Sequence, residues 1–176
     1  MFLVVWGIGA LTQKQTVRKE PARSRLVYLL LGALVVMVLF NKKLDFGFLE
    51  RPFVPKDFIF SYIGLTLTFA GIAFALWARV FLGRNWSGAV TLKKDHELVR
   101  KGPYALARHP IYTGVLLALL GTVIDLREAR GLLALAVAAL ALLMKIHREE
   151  RFMAEQFGAE YAQYKKKVKT LIPFVW

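Results

Sequence analysis

The chain has 176 residues, 57% of them hydrophobic, and 25 Lys and Arg against 12 Asp and Glu give it a net charge of +13. That apolar content, above the roughly 45–50% of a water-soluble domain, excludes disorder, and the absence of cysteine excludes a disulfide scaffold, a cysteine-ligated metal and thiol catalysis. A basic balance alone fits nucleic acid or an anionic membrane; long uncharged runs and a mean hydropathy of +0.47 favour the membrane.

Phe2–Leu11 is a short apolar stretch, either half of a span or an interfacial helix. No basic region precedes it and no small-residue cleavage site stands out, which argues against a signal peptide. Leu26–Phe40 is uncharged and apolar, short for a crossing, and expected to tilt little or recruit flanking residues. Phe58–Ala78 has full spanning length and extends to Leu82 if Arg79 is admitted, since about 20 residues at 1.5 Å each cross a 30 Å hydrocarbon layer. Ile111–Ile124 and Gly131–Met144 are two shorter apolar blocks separated by Asp125-Leu126-Arg127-Glu128-Ala129-Arg130. They read as a helical hairpin that enters and leaves on one side. Gly158 is expected to end the helix that follows, with Tyr161 and Tyr164 on a second amphipathic helix.

The basic residues set an orientation. Gln13–Arg25, Gly83–Pro110 and Lys145–Trp176 hold five, six and seven Lys/Arg, whereas Asn41–Asp57 holds four and the hairpin tip two. By the positive-inside rule the first three segments are cytosolic, and the helix count puts Gly83–Pro110 and the C-terminal segment on one side independently. Small residues share helical faces: Ser61, Gly64, Thr68, Gly71, Ala75 and Ala78; Gly114, Ala118 and Gly121; Gly131, Ala134, Ala138 and Ala141. Such faces let membrane helices approach closely. Phe74, Trp77 and Phe81 form an aromatic stripe that suits lipid or a neighbouring helix better than a ligand. The expected fold is an all-α integral membrane bundle of four to five transmembrane helices with a C-terminal hairpin and cytosolic amphipathic C-terminal helices. It forms one domain, with N-terminal spans in 1–82 and the functional half in 83–176.

Polar residues concentrate around the hairpin. Gly102-Pro103 marks a turn, Pro110 suits a first helical position and His109 its cap. The N–H groups of Ile111, Tyr112 and Thr113 would then point outward and attract an anion; the alternative is that Arg108 and His109 only anchor the helix at headgroups. The second cluster is Lys145-Ile146-His147-Arg148-Glu149-Glu150-Arg151, which also reads as a solvated face. Lys165, Lys166, Lys167 and Lys169 suit anionic lipid, and Leu171–Trp176 is an apolar tail with an interfacial Trp.

At these residues the sequence resembles the isoprenylcysteine carboxyl methyltransferase family, part of a broader group with the phospholipid N-methyltransferases. The resemblance rests on Leu82-Gly83-Arg84-Asn85-Trp86-Ser87, Gly102-Pro103-Tyr104, Arg108-His109-Pro110-x-Tyr112-x-Gly114, Glu149-Glu150, Phe157-Gly158-x-Glu160-Tyr161-x-x-Tyr164 and Ile172-Pro173, in that order. It covers about half the chain. It implies a membrane enzyme that uses S-adenosylmethionine, without a Rossmann domain or a metal, with the cofactor between the hairpin and the C-terminal helices near the cytosolic face. Carried over, the cofactor site comprises His109, Pro110, Tyr112, Glu149 and Glu150, with Tyr104 and Gly114 behind them and Gly102, Tyr161 and Tyr164 further out. Arg108, Arg148 or Arg151 would orient an anionic substrate head, and Glu149 or Glu150 would pair with such an arginine. The implied partners are membrane lipids and a lipid-like or prenylated acceptor, not nucleic acid. The compartment would be the bacterial inner membrane or the endoplasmic reticulum, with the active site facing the cytosol. The competing readings are an aminolipid N-methyltransferase, an NADPH-dependent sterol or polyprenyl reductase, and a non-catalytic lipid binder.

Overall fold

The structure is a computed structural model that describes residues 16–41, 47–86, 91–93, 97–173 and 175. The stretch Phe2–Leu11, Ser87, His96 and the terminal Trp176 lie outside the described residues. Helices carry the fold: α1 (Ala22–Phe40), α2 (Phe58–Leu82), α3 (Pro110–Leu126) and α4 (Ala129–Lys167).

Each helix boundary has a local cause. α1 starts after Pro21, four residues ahead of the apolar run, so the short span does recruit its flank. Asp57 caps α2 by accepting the N–H of Ile59 at 3.0 Å, and Gly83 at φ 54° ends it, a conformation that favours glycine. α2 runs through Arg79, whose guanidinium lies 4.1 Å from the Trp86 ring and donates to the Gly83 carbonyl at 3.2 Å; a buried cation is tolerated where π-electrons and carbonyls receive it. α3 stops at Arg127, which is left-handed at φ 63° and returns its N–H to Val123. α4 begins two residues later, so the hairpin is tight. It continues to Lys167 with a break at Gly158 (φ 48°, ψ −119°), where the sequence places a helix end.

α2 and α3 cross backbone to backbone. A Cβ on Gly114 would stand 2.6 Å from the Gly71 carbonyl oxygen and the Ala75 nitrogen, and one on Gly64 would stand 2.7 Å from the Gly121 oxygen. The small-residue faces therefore meet each other. α4 packs on α1 and α3 through Val38, Leu39, Val123 and Ala134. At the hairpin end, Arg127 donates to Ser61 Oγ at 2.6 Å and to the Asp57 carbonyl at 3.2 Å, which ties the tip to the start of α2.

Outside this interior the helices are greasy. Leu29, Phe58, Tyr62 and Phe69 are about 70–80% exposed, a surface that water disfavours and lipid accepts. Among the described residues three helices (α1, α2 and α4) are long and apolar enough to cross a membrane, and α3 is a shorter apolar helix. The protein is an integral membrane protein. One feature departs from an all-α expectation: β1 (Thr16–Lys19) and β2 (Thr91–Lys93) pair antiparallel, with Arg18 opposite Leu92. Strands of four and three residues carry too little alternation to be legible in a sequence.

Candidate active site at the mouth of the hairpin

The polar residues that bracket the hairpin meet at its open end. The segment before α3 runs beside the C-terminal segment: the Arg108 N–H donates to the Lys169 carbonyl at 2.8 Å and the His109 N–H to that of Thr170 at 3.1 Å. Thr113 Oγ1 donates to the Leu171 carbonyl at 2.7 Å. The C-terminal residues are thus fastened across the start of α3.

The Arg108 guanidinium turns inward. Its Nε and Nη2 donate to Glu150 Oε1 at 2.8 and 2.6 Å, its Nη2 to Thr170 Oγ1 at 2.8 Å, and its Nη1 to the Val168 carbonyl. Lys165 Nζ takes the other carboxylate oxygen of Glu150 at 2.8 Å. Arg108 and Glu150 side chains are 7% and 14% exposed, so this pair is stable only because nearly every donor and lone pair has a partner.

The second carboxylate has different neighbours. Tyr112 Oη donates to Glu149 Oε1 at 2.6 Å, and His109 Nδ1 stands 3.4 Å from Glu149 Oε2. The imidazole stacks against the Tyr112 ring, 5.7 Å between centroids and 8° from parallel. Its Nε2 is buried, makes no hydrogen bond and lies 3.5 Å from Glu150 Oε1. Burial disfavours the imidazolium, but Glu149 and then Glu150 outweigh it and raise the pKa of His109 above its ordinary value. Burial pushes the Tyr104 phenol up, helped by the Glu149 charge.

Arg108, His109, Tyr112, Glu149 and Glu150 therefore form one cluster. Three other residues of the motif position it. Pro110 fills the first turn of α3, fully buried. Gly114 permits the α2 crossing. Tyr104 is buried, its carbonyl accepting from Tyr164 Oη. Arg148 points toward α1, where it donates to Ser24 Oγ. Arg151 is 77% exposed and pairs with Glu155 at 3.2 Å. His147 is exposed. Of the three N–H groups expected to point outward at the start of α3, two do not: those of Tyr112 and Thr113 both donate to the His109 carbonyl, at 3.0 and 3.1 Å.

Beside the cluster lies a cavity of about 520 Å³ between all four helices, with mostly apolar walls. Gly114, two residues from Tyr112, and Lys145, one helical turn before Glu149, belong to its lining. Sequence reading placed Lys145 in the second polar cluster but gave it no role of its own. Its signal was its place at the end of an apolar block, four residues from Glu149 and so on the same helix face.

A membrane bundle with a buried acid–base cluster and an apolar cavity beside it defines a class of intramembrane site suited to amphiphilic ligands. The model of the isoprenylcysteine carboxyl methyltransferase family matches residues 62–155, and the chain belongs to that family. A probable protein-S-isoprenylcysteine O-methyltransferase of Oryza sativa is 32% identical over 124 residues, covering 68% of this chain and 65% of the relative. A cobalt-zinc-cadmium resistance protein of Cupriavidus metallidurans is 34% identical over 111 residues, covering 62% and 49%. The solved structure of a eukaryotic intramembrane Ras methyltransferase of the same family is similar at a TM-score of 0.60 and 28% identity, over 84% of this chain and 52% of that one. The chain spans less than two thirds of the length of these proteins.

Proposed function

We propose that the protein is a membrane methyltransferase that uses S-adenosylmethionine and methylates the carboxylate of a lipid-like acceptor, a prenylated cysteine or a comparable lipophilic acid. The observation that carries this reading is the junction of the His109–Tyr112–Glu149 cluster with the apolar cavity. S-adenosylmethionine supplies, when bound, a methyl group on a sulfonium sulfur.

The residues fit such a group. Glu149 is a largely buried carboxylate beside an aromatic ring, an environment that favours a cation. His109 Nε2 is buried with only the Glu150 carboxylate at 3.5 Å beside it among the described residues, and a buried polar group without a close hydrogen bond calls for a better partner. Arg108 and Glu150 are consumed by each other, Lys165 and Thr170; their role is to clamp the C-terminal segment over α3 and hold His109 in place. The mostly apolar walls disfavour bulk water in the cavity, and water is what most disfavours joining a carboxylate to a sulfonium, because that step cancels both charges. The chain's task is then orientation and exclusion of water.

A carboxylate acceptor suits this site better than an amine. An aminolipid must lose a proton before attack and needs a base near neutrality. His109 is not among the described residues that line the cavity, and its two ring nitrogens face Glu149 and Glu150, so it is poorly placed to be that base. The basic segments and the open end of the hairpin are read as cytosolic.

The test is calorimetric binding of S-adenosylhomocysteine and of NADPH to the purified protein in detergent, followed by incubation with labelled S-adenosylmethionine and S-farnesyl N-acetylcysteine. Binding of the former alone, with label in a base-labile ester, is expected. Binding of NADPH alone, or label in an aminolipid, would contradict the reading.

A further inference from the structure

Lys165, Lys166, Lys167 and Lys169 stand exposed where α4 ends. Lys165 is committed, its Nζ lying 2.8 Å from Glu150 Oε2. The other three have no acidic partner among the described residues; Glu160, the nearest acid in sequence, pairs with Arg100 at 2.8 Å. The fold fixes the depth of these lysines. The chain bends at Gly158, Tyr164 Oη donates to the Tyr104 carbonyl, and the Arg108 and His109 N–H groups hold the Lys169 and Thr170 carbonyls at 2.8 and 3.1 Å. The apolar helix α3 starts directly afterwards, at Pro110. Lys169 is thus fastened at the level where the bundle passes from polar to apolar. The fastened segment has two sides. Thr170 and Leu171 face the protein: Thr170 Oγ1 accepts from Arg108 Nη2 at 2.8 Å, and Leu171 is buried. Lys169 and Ile172 are exposed, as is Val175 at 71%. Leu106, also exposed, adjoins them through the pairing of Ala107 with Lys169.

We propose that this edge docks the anionic lipid headgroups of the leaflet at the cluster end of the bundle, and that the docked headgroups hold the C-terminal segment closed over the start of α3. A run of lysines beside exposed aliphatic side chains matches a bilayer boundary, where phosphates lie next to acyl chains. Lysine stems follow the apolar layer there while the ammonium groups stay among the headgroups. A nucleic acid would satisfy the lysines and leave Ile172 and Val175 without a counterpart. The closing effect follows from charge. In the closed arrangement Arg108 and Lys165 share Glu150, and the remaining three lysines crowd beside them with no acid of their own. Like charges held together repel, and anionic headgroups relieve that repulsion. A released segment spreads its lysines and no longer presents them on one edge with Ile172, so headgroups bind it less well. A ligand shifts the equilibrium toward the state that it binds better. The acid cluster is thereby coupled to the composition of the bilayer, whatever the cavity takes.

The experiment follows hydrogen exchange of the Arg108 and His109 N–H groups, which the Lys169 and Thr170 carbonyls protect. The full chain is placed in nanodiscs of phosphatidylcholine alone or of phosphatidylcholine mixed with phosphatidylglycerol. The readout is the ratio of the two exchange rates within each protein, and exchange at the α2–α3 crossing reports whether each variant is folded. Phosphatidylglycerol should slow exchange at Arg108 and His109 by about fivefold or more, as several lysines gaining together from an anionic surface predict, and should leave the crossing unchanged. Lys166→Gln, Lys167→Gln and Lys169→Gln combined should bring the ratio close to one. Lys165 stays in place in that variant because it serves Glu150. Lys56→Gln, exposed before the start of α2, should keep the native ratio. A native ratio near one, faster exchange with phosphatidylglycerol, or a combined-variant ratio equal to the native one overturns the proposal. Equal slowing in phosphatidylcholine discs by inorganic phosphate or by a short single-stranded oligonucleotide also overturns it, since the surface would then take anions without a bilayer.

Discussion

At the scale of single residues, the adjacent acids do different work although they are neighbours in sequence. Glu150 meets Arg108 and Lys165 at hydrogen-bonding distance, whereas Glu149 faces a phenol and an imidazole. Successive residues on a helix point about 100° apart, so the pair divides between a clamp and a pocket. Arg-His-Pro-x-Tyr and the paired acids were legible as polar residues at both mouths of one apolar hairpin, and the fold brings Arg108, His109, Tyr112, Glu149 and Glu150 together. Their division of labour was not legible, because it depends on which side the C-terminal segment lies. Arg108 makes the sharper test. Arg108→Ala leaves Glu150 with the exposed Lys165 and the more distant His109 imidazole, and removes the bonds to Val168 and Thr170. Breaking a buried pair in this way costs about 3–5 kcal/mol. Arg108→Ala should therefore lower the midpoint of thermal unfolding in detergent far more than Arg151→Ala, whose ion pair is exposed and worth about 0–1 kcal/mol. Equal shifts would refute the clamp.

At the scale of elements, spans were legible from length and apolarity, and small-residue faces from their spacing. α2 and α3 meet as those faces require, with Gly71 opposite Gly114 and Gly64 opposite Gly121. The course of α4 was legible at its break: the non-helical Gly158 separates the apolar block and the acids from Tyr161 and Tyr164, as the glycine predicts. The two-stranded ribbon was not legible, since it is a long-range pairing of segments without periodicity. The glycines divide into two physical kinds, and one measurement separates them. Gly114→Ala drives a methyl into the backbone of α2 and should cost about 1–3 kcal/mol by overpacking. Gly158→Ala meets nothing within 4 Å, so its cost of similar size arises from backbone strain alone. The two variants differ in what restores them: Ala75→Gly opposite Gly114 should recover part of the loss for Gly114→Ala and none for Gly158→Ala. A recovery shared by both would mean that Gly158 also packs against a neighbour.

At the scale of the whole molecule, two ends can be told apart by their contacts. One holds the start of α2 and the hairpin tip, joined through Arg127, Ser61 and Asp57. The other holds the start of α3, the acids of α4 and the C-terminal segment, joined through Arg108, Glu150 and Thr113. The segments richest in Lys and Arg belong to the second end, and the positive-inside rule turns that asymmetry into a direction. The natural chain has no cysteine, so single substitutions report position without background. Lys56 and Lys166 are both exposed and stand before the start of α2 and at the end of α4. In cells carrying the protein in a bacterial inner membrane, a membrane-impermeant maleimide should label Lys56→Cys from outside, and should label Lys166→Cys only after the membrane is opened. Labelling of both from one side would mean that α2 and the hairpin do not traverse the bilayer as their lengths and contacts require. Labelling in the opposite order would turn the acid cluster away from the cytosol and overturn the orientation that the basic segments give.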